Sequence, residues 1–290
     1  MAHAIDHGQR AEPVTMDARI TKKMLQALAP LPDTAMRLLS LLDDPNVPLR
    51  EIADIAVRDV GISATMLRMA NSAMFGLRGR VGSISDAIRV IGTAQARLLV
   101  LASGVSQTAQ KELPLYALAA GSFLRHSELV GNVTMYVARE MGYANIGSAY
   151  SAGLLHDIGK IVINGVAQQD AIYTHTTLEA VMGRHGCALP EAERIVCGST
   201  HAEVGRQLAE LWSLPRELTE ALTLHHEALM PGAENMLACC VAIANAAACE
   251  VDPTYPAFNR PGPLPEPCPV NLDTVCAIAE QYIDENARSA

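Results

Sequence analysis

Ala152-Gly153-Leu154-Leu155-His156-Asp157-Ile158-Gly159-Lys160 decides how this chain is read. An apolar run reaches a histidine and a carboxylate at its end, with a lysine one helical turn further on. Lys160-Ile161-Val162-Ile163 continues a helical pattern more easily than it starts a strand. A buried His-Asp pair needs hydrogen bonds, a counter-charge or a metal to be tolerated.

Outward from this stretch the pattern stays helical, with Ala, Leu, Met and Ile at i, i+3, i+4 spacing. Residues 1–17 are polar and unpatterned, and read as a frayed tail. After Leu31-Pro32, Asp33 is expected to cap a helix with Met36, Leu38, Leu39 and Leu42 on its apolar face. Pro48 fits the first turn of the next helix, which carries Ile52, Ala53 and Ala56. Ile62–Ala70 follows. Ser83 caps a helix that Gly92 ends, and Thr93 begins another. Residues 18–113 thus form a first helical lobe without a nameable chemical group. Pro114 offers a break, and residues 114–290 form a second lobe. Within it 251–270 holds seven prolines and reads as a stiff loop, before a closing helix over 272–283. The expected fold is all-α: a two-lobed helical bundle.

Composition narrows the function. The chain has 290 residues, half of them hydrophobic and only 18% charged, against about 25% charged in average domains. Its net charge of −9 and 4% aromatic content oppose nucleic-acid binding, which needs a basic face and stacking platforms. No stretch approaches the roughly 20 apolar residues of a membrane span. The seven cysteines are odd in number, form no CxxC pair and follow no signal-like segment. They read as small core hydrophobes in a reducing cytosol. The adjacent Cys239 and Cys240 offer too few ligands for a tetrahedral site.

Nine histidines carry the remaining information. His3 and His7 lie in the tail, and His175 and His185 in a polar stretch. His126 falls inside an amphipathic helix, His156-Asp157 ends a buried run, and His201 opens a helix with Ser199 or Thr200 as its cap. His225-His226 closes the helix that begins after Pro215. Any one of these alone reads as an ordinary hydrogen-bonded residue. Jointly they form a mixed imidazole and carboxylate set suited to zinc, manganese, iron or nickel. Lys160 faces a substrate phosphate if the set is catalytic, and is a solvated helix end if not.

Leu155-His156-Asp157-Ile158-Gly159-Lys160 resembles the signature of the HD superfamily of metal-dependent phosphohydrolases. More specifically, the chain resembles an HDOD domain, the HD-related output domain of bacterial signalling proteins. Leu31-Pro32, Leu67-Arg68-Met69-Ala70-Asn71-Ser72, Ser83-Ile84, Ile91-Gly92, His201-Ala202-Glu203-Val204-Gly205, Trp212-Ser213-Leu214-Pro215 and His225-His226 carry the likeness, over roughly residues 22–250. The resemblance implies an all-α fold whose C-terminal lobe is an HD-like helical core, and a place in signal transduction, usually without turnover. By the same resemblance His126, His156, Asp157, His201, His225, His226 and Asn245 are the metal-site positions. Asp157 and Lys160 would be catalytic only in an enzyme.

Two departures separate the chain from relatives that hydrolyse cyclic di-GMP. Ala228-Leu229-Met230-Pro231-Gly232 replaces their GYP segment, and Asn245 stands where HD enzymes close the site with an aspartate. A neutral amide removes one negative charge from the metal shell. The expected function is therefore a cytoplasmic regulatory output module with a vestigial or structural metal site, partnered by separate signalling proteins. The alternative is a metal-dependent phosphohydrolase acting on a nucleotide or cyclic nucleotide.

Overall fold

A computed structural model describes residues 31–72, 75–77, 79–104, 109–169, 178–227, 235–260 and 268–287. The tail, His175 and the Ala228–Gly232 stretch lie outside them. Among the described residues there is no strand, and the lone β-type contact is a bridge between Leu113 and Leu118. The fold is an all-α, two-lobed bundle.

The first lobe contains α1 (Asp33–Leu42), α2 (Leu49–Ala56), α3 (Val60–Ala70), α4 (Ile84–Ile91) and α5 (Thr93–Gly104). Ser83 caps α4 through the Asp86 amide, and Gly92 ends it at a φ of 85° that suits glycine. Three expectations are corrected. Asp33 is the first residue of α1 and caps nothing; Pro32 stands at the N-cap without a side-chain bond. Pro48 likewise sits at the N-cap of α2, one position before the first turn. Met36 is 55% exposed, so the apolar face of α1 rests on Ala35, Leu38 and Leu39.

The second lobe is built on α6 (Ser122–Glu140), which packs along α7 (Ile146–Leu155) and α13 (Met236–Val251). Around this trio lie α8 (Gly159–Gln169), α9 (Leu178–His185), α10 (Leu189–Cys197), α11 (His201–Leu211) and α12 (Arg216–Leu224). The closing helix α14 (Leu272–Ala287) packs on α6 and α13. Lys160–Ile163 is helical, as its pattern predicts. After α13 the proline-rich stretch is irregular through residue 260, apart from a short 3₁₀ turn at Ala257–Asn259.

The lobes meet where α5 packs on α7. Gln95 donates to Ser151 Oγ across this contact at 2.5 Å, with both groups buried. The junction places the first lobe behind the helix that ends in His156.

Candidate metal centre

Four helix ends and two helix interiors converge in the second lobe. His156 is the C-cap of α7, Asp157 follows it, and Lys160 lies in the first turn of α8. His201 begins α11, which Thr200 starts by a reciprocal capping box with Glu203. His225 is the C-cap of α12. His126 projects from the middle of α6 and Asn245 from α13. His126, His156, Asp157, Lys160, His201, His225 and Asn245 are all buried, while His226 is half-buried.

The imidazoles are oriented by their outer nitrogens. His156 Nδ1 donates to the Gly153 carbonyl at 2.7 Å, and His225 Nδ1 to the Leu222 carbonyl at 2.8 Å. A carbonyl only accepts, so each Nδ1 carries its proton and Nε2 is the atom turned toward the cluster. His201 Nδ1 donates to the buried Glu193 carboxylate at 2.7 Å, and that carboxylate also takes the His201 amide and the Tyr116 hydroxyl. Such outer bonds fix which nitrogen faces a metal and raise its basicity.

The inner atoms crowd together. One set comprises Asp157, His201, His225 and His226, the other His126, His156 and Asp157; within each set the ligand atoms lie within 4.8 Å of one another. His201 Nε2 is 3.4 Å from His225 Nε2 and 2.8 Å from His226 Nε2. Asp157 Oδ1 and His156 Nε2 are buried without a hydrogen-bond partner. Clustered lone pairs and unpaired buried acceptors are unfavourable by themselves and are relieved by a cation. The donors therefore fit a divalent metal, and the imidazole-carboxylate chemistry suits zinc, manganese, iron or nickel.

Electrostatics follows the burial. Burial pushes His126 down to about 3 and His225 to about 4, and drives His226 well below its usual range, so all three are neutral at pH 7. Burial also works against charge on His201, but Glu193 and Asp157 carry it up to about 9. Asp157 is opposed by its own burial, yet His156 and Lys160 hold its carboxyl well below the ordinary value. Without an ion, a proton on His201 lies among Asp157 and its neighbouring rings. An ion taking that place would release the proton.

Lys160 corrects one expectation: it is 1% exposed and is no solvated helix end. Its ammonium lies 2.7 Å from Asp157 Oδ2 and donates to Tyr255 Oη at 3.1 Å. His185 ends α9 in an exposed position, apart from the cluster. Asn245 Oδ1 lies 3.0 Å from His126 Nε2. Among the described residues the cysteines join no candidate metal group.

Sequence reading missed three participants: Glu193, Tyr116 and Tyr255. Glu193 had a signal, because it shares the buried face of α10 with Leu189, Val196 and Cys197 at i−4, i+3 and i+4. A lone carboxylate on an apolar stripe needs a partner. Tyr116 and Tyr255 sit in short irregular segments, where no periodicity marks them.

The helical scaffold and its histidine-aspartate centre define an HD-type domain. Residues 28–228 match the HDOD domain family, and the chain belongs to it. It is similar to a candidate phosphohydrolase from Shewanella amazonensis SB2B, at 21% identity and a TM-score of 0.63 over 90% of this chain and 93% of that one. An HDOD domain protein of unknown function from Geobacter sulfurreducens is 21% identical, with a TM-score of 0.54 over 93% and 95% of the two chains. A candidate signal transduction protein from Marinobacter aquaeolei VT8 is 22% identical, with a TM-score of 0.61 over 92% of this chain and 59% of that one. At these identities the likeness is one of fold. In sequence, an uncharacterised protein of Treponema pallidum (strain Nichols) is 26% identical over 203 residues, which span 68% of this chain and 37% of the relative. No described helix is long and apolar enough to cross a membrane.

Proposed function

We propose that this chain is a signal-transduction output module whose buried centre holds a divalent ion structurally and does not turn over a phosphodiester. The observation that carries this reading is the state of Lys160. Lys160, the lysine that would meet a phosphate, is buried and engaged with Asp157 and Tyr255. Asn245 in place of an acidic residue supports it, since the His126 side has one negative charge fewer to hold an ion. The bound ion would supply positive charge among the inner nitrogens and would brace the ends of α7, α11 and α12. The residues themselves do the orienting: Glu193 aims His201, while the Gly153 and Leu222 carbonyls aim His156 and His225.

The first lobe supports a regulatory role because its described residues add nothing to the centre, yet it packs behind α7. Its surface is the proposed docking face for a separate signalling protein, in a reducing cytosol where the seven free thiols are stable. Purification without chelators, followed by metal analysis and assay of phosphodiester hydrolysis with added manganese or iron, tests the reading. Retained metal without turnover is the expected result. The second reading, a nucleotide or cyclic-nucleotide phosphohydrolase, is favoured by the donor set itself. Turnover abolished by both His156→Ala and Asp157→Ala would establish it and end the first.

A further inference from the structure

The two oxygens of Asp157 keep different company. Oδ1 lies 3.2 Å from His201 Nε2 and 3.6 Å from His225 Nε2, and has no hydrogen-bond partner. Oδ2 lies 2.7 Å from the Lys160 ammonium, 3.2 Å from Tyr255 Oη and 3.3 Å from His156 Nε2. A full positive charge already sits on the second oxygen. Like charges a few ångströms apart in a buried site repel strongly, so an ion there must first evict Lys160.

Tyr255 completes this half. Its ring stacks on His126 with centroids 3.7 Å apart and planes 14° apart, and it is 3% exposed. Lys160 Nζ lies 5.5 Å from the centre of the Tyr255 ring and 5.4 Å from that of Tyr116, within range of both aromatic faces. The backbone turn that delivers Tyr255 is tied down: Asp252 Oδ1 accepts from the Thr254 amide and hydroxyl, and Arg125 of α6 donates to Thr254 Oγ1 at 2.9 Å. His126 Nε2 meanwhile faces the Asn245 amide oxygen.

We propose that the centre takes a single divalent ion, on Asp157 Oδ1 with His201, His225 and His226, and that Lys160 and Tyr255 form a built-in cationic plug where a second ion would sit on the His126 side. The proposal rests on the metal reading above. It makes Lys160 and Tyr255 positioning residues, which hold Asp157 so that only Oδ1 remains available.

The experiment loads the metal-free full chain with Zn²⁺, desalts it and counts bound zinc by mass spectrometry. One equivalent is expected in the wild type. His126→Ala keeps that equivalent with affinity changed less than about threefold, whereas His225→Ala loses at least tenfold in affinity. Lys160→Met, which frees Oδ2, acquires a second equivalent. With Co²⁺ as the probe, the visible spectrum is unchanged in His126→Ala and altered in His225→Ala, and circular dichroism verifies that each variant is folded. Two equivalents in the wild type, loss of the ion in folded His126→Ala, or a single equivalent in folded Lys160→Met would each overturn the one-ion proposal alone. No zinc in the wild type would overturn the structural-metal reading together with it.

Discussion

Glu193 shows how much of the centre depends on one residue outside it. It is fully buried, and it is tolerable there because His201 Nδ1, the His201 amide and the Tyr116 hydroxyl all donate to it. Glu193→Gln keeps the shape and removes the charge that sustains the His201 proton and ring orientation. Metal affinity is expected to fall about 10- to 100-fold, as for other outer-shell changes, with little change in helicity; competition against a chelator measures it. The cysteines behave differently. Burial pushes the Cys197, Cys240 and Cys249 thiols up to about 12, so they hold almost no thiolate at neutral pH. Iodoacetamide applied to the native chain should leave these three unmodified and label partly exposed Cys187 and Cys268; peptide mapping reads the difference.

Helix ends and helix crossings place the ligands. The reach from α8 to α11 depends on Gly159, where a Cβ would strike the His201 carbonyl oxygen and approach the Gly205 amide nitrogen at 2.9 Å. Both obstacles are backbone, so they cannot rotate away. Gly159→Ala is expected to cost about 1–3 kcal/mol or more, as overpacking does, and to lower zinc affinity by shifting the first residue of α11. Urea unfolding and zinc titration of the same variant give both numbers. The α6–α7 crossing has the same character at Gly153, whose Cβ would meet Thr134 Oγ1 at 2.5 Å and the Val130 carbonyl at 2.8 Å. Glycine at both ends of the His-Asp stretch thus lets α6 approach α7, and α11 approach α8, closely around it.

Across the whole molecule, the two lobes communicate through few polar links. Gln95 bonds Ser151 in α7, Arg68 of α3 pairs with Glu128 of α6, and Arg97, held by Asp43 of its own lobe, bonds the Trp212 carbonyl in the turn between α11 and α12. Those helices carry His201, His225 and His226, so the first lobe touches both sides of the centre's scaffold. A cavity of about 610 Å³ opens at the same junction, lined in part by Gln95, Arg97, Asn145, Ser148, Ser213 and Glu217. Gln95→Leu strands the buried Ser151 hydroxyl and is expected to cost about 1–3 kcal/mol, read from the midpoint of chemical unfolding. Charge acts on the same scale. At −9 overall, the chain should not shift a DNA duplex in a gel even at 50 mM salt, where phosphate contacts are strong.

The helical class, the Ser83 cap, the Gly92 stop and the ligand-type residues were legible in the sequence, because periodicity, caps and residue chemistry are local properties of the chain. His156-Asp157-Ile158-Gly159-Lys160 could be recognised from five adjacent letters. What Lys160 does could not: its neighbour Tyr255 lies 95 residues further on, in a proline-rich stretch without pattern. Only the packing of the second-lobe helices, α10, α11 and α12 among them, decided that the lysine is buried against a tyrosine, that Glu193 aims His201, and that the two oxygens of Asp157 face unequal surroundings. Contacts between distant segments depend on how helices cross, and a linear pattern records which face of a helix is buried, not what it is buried against.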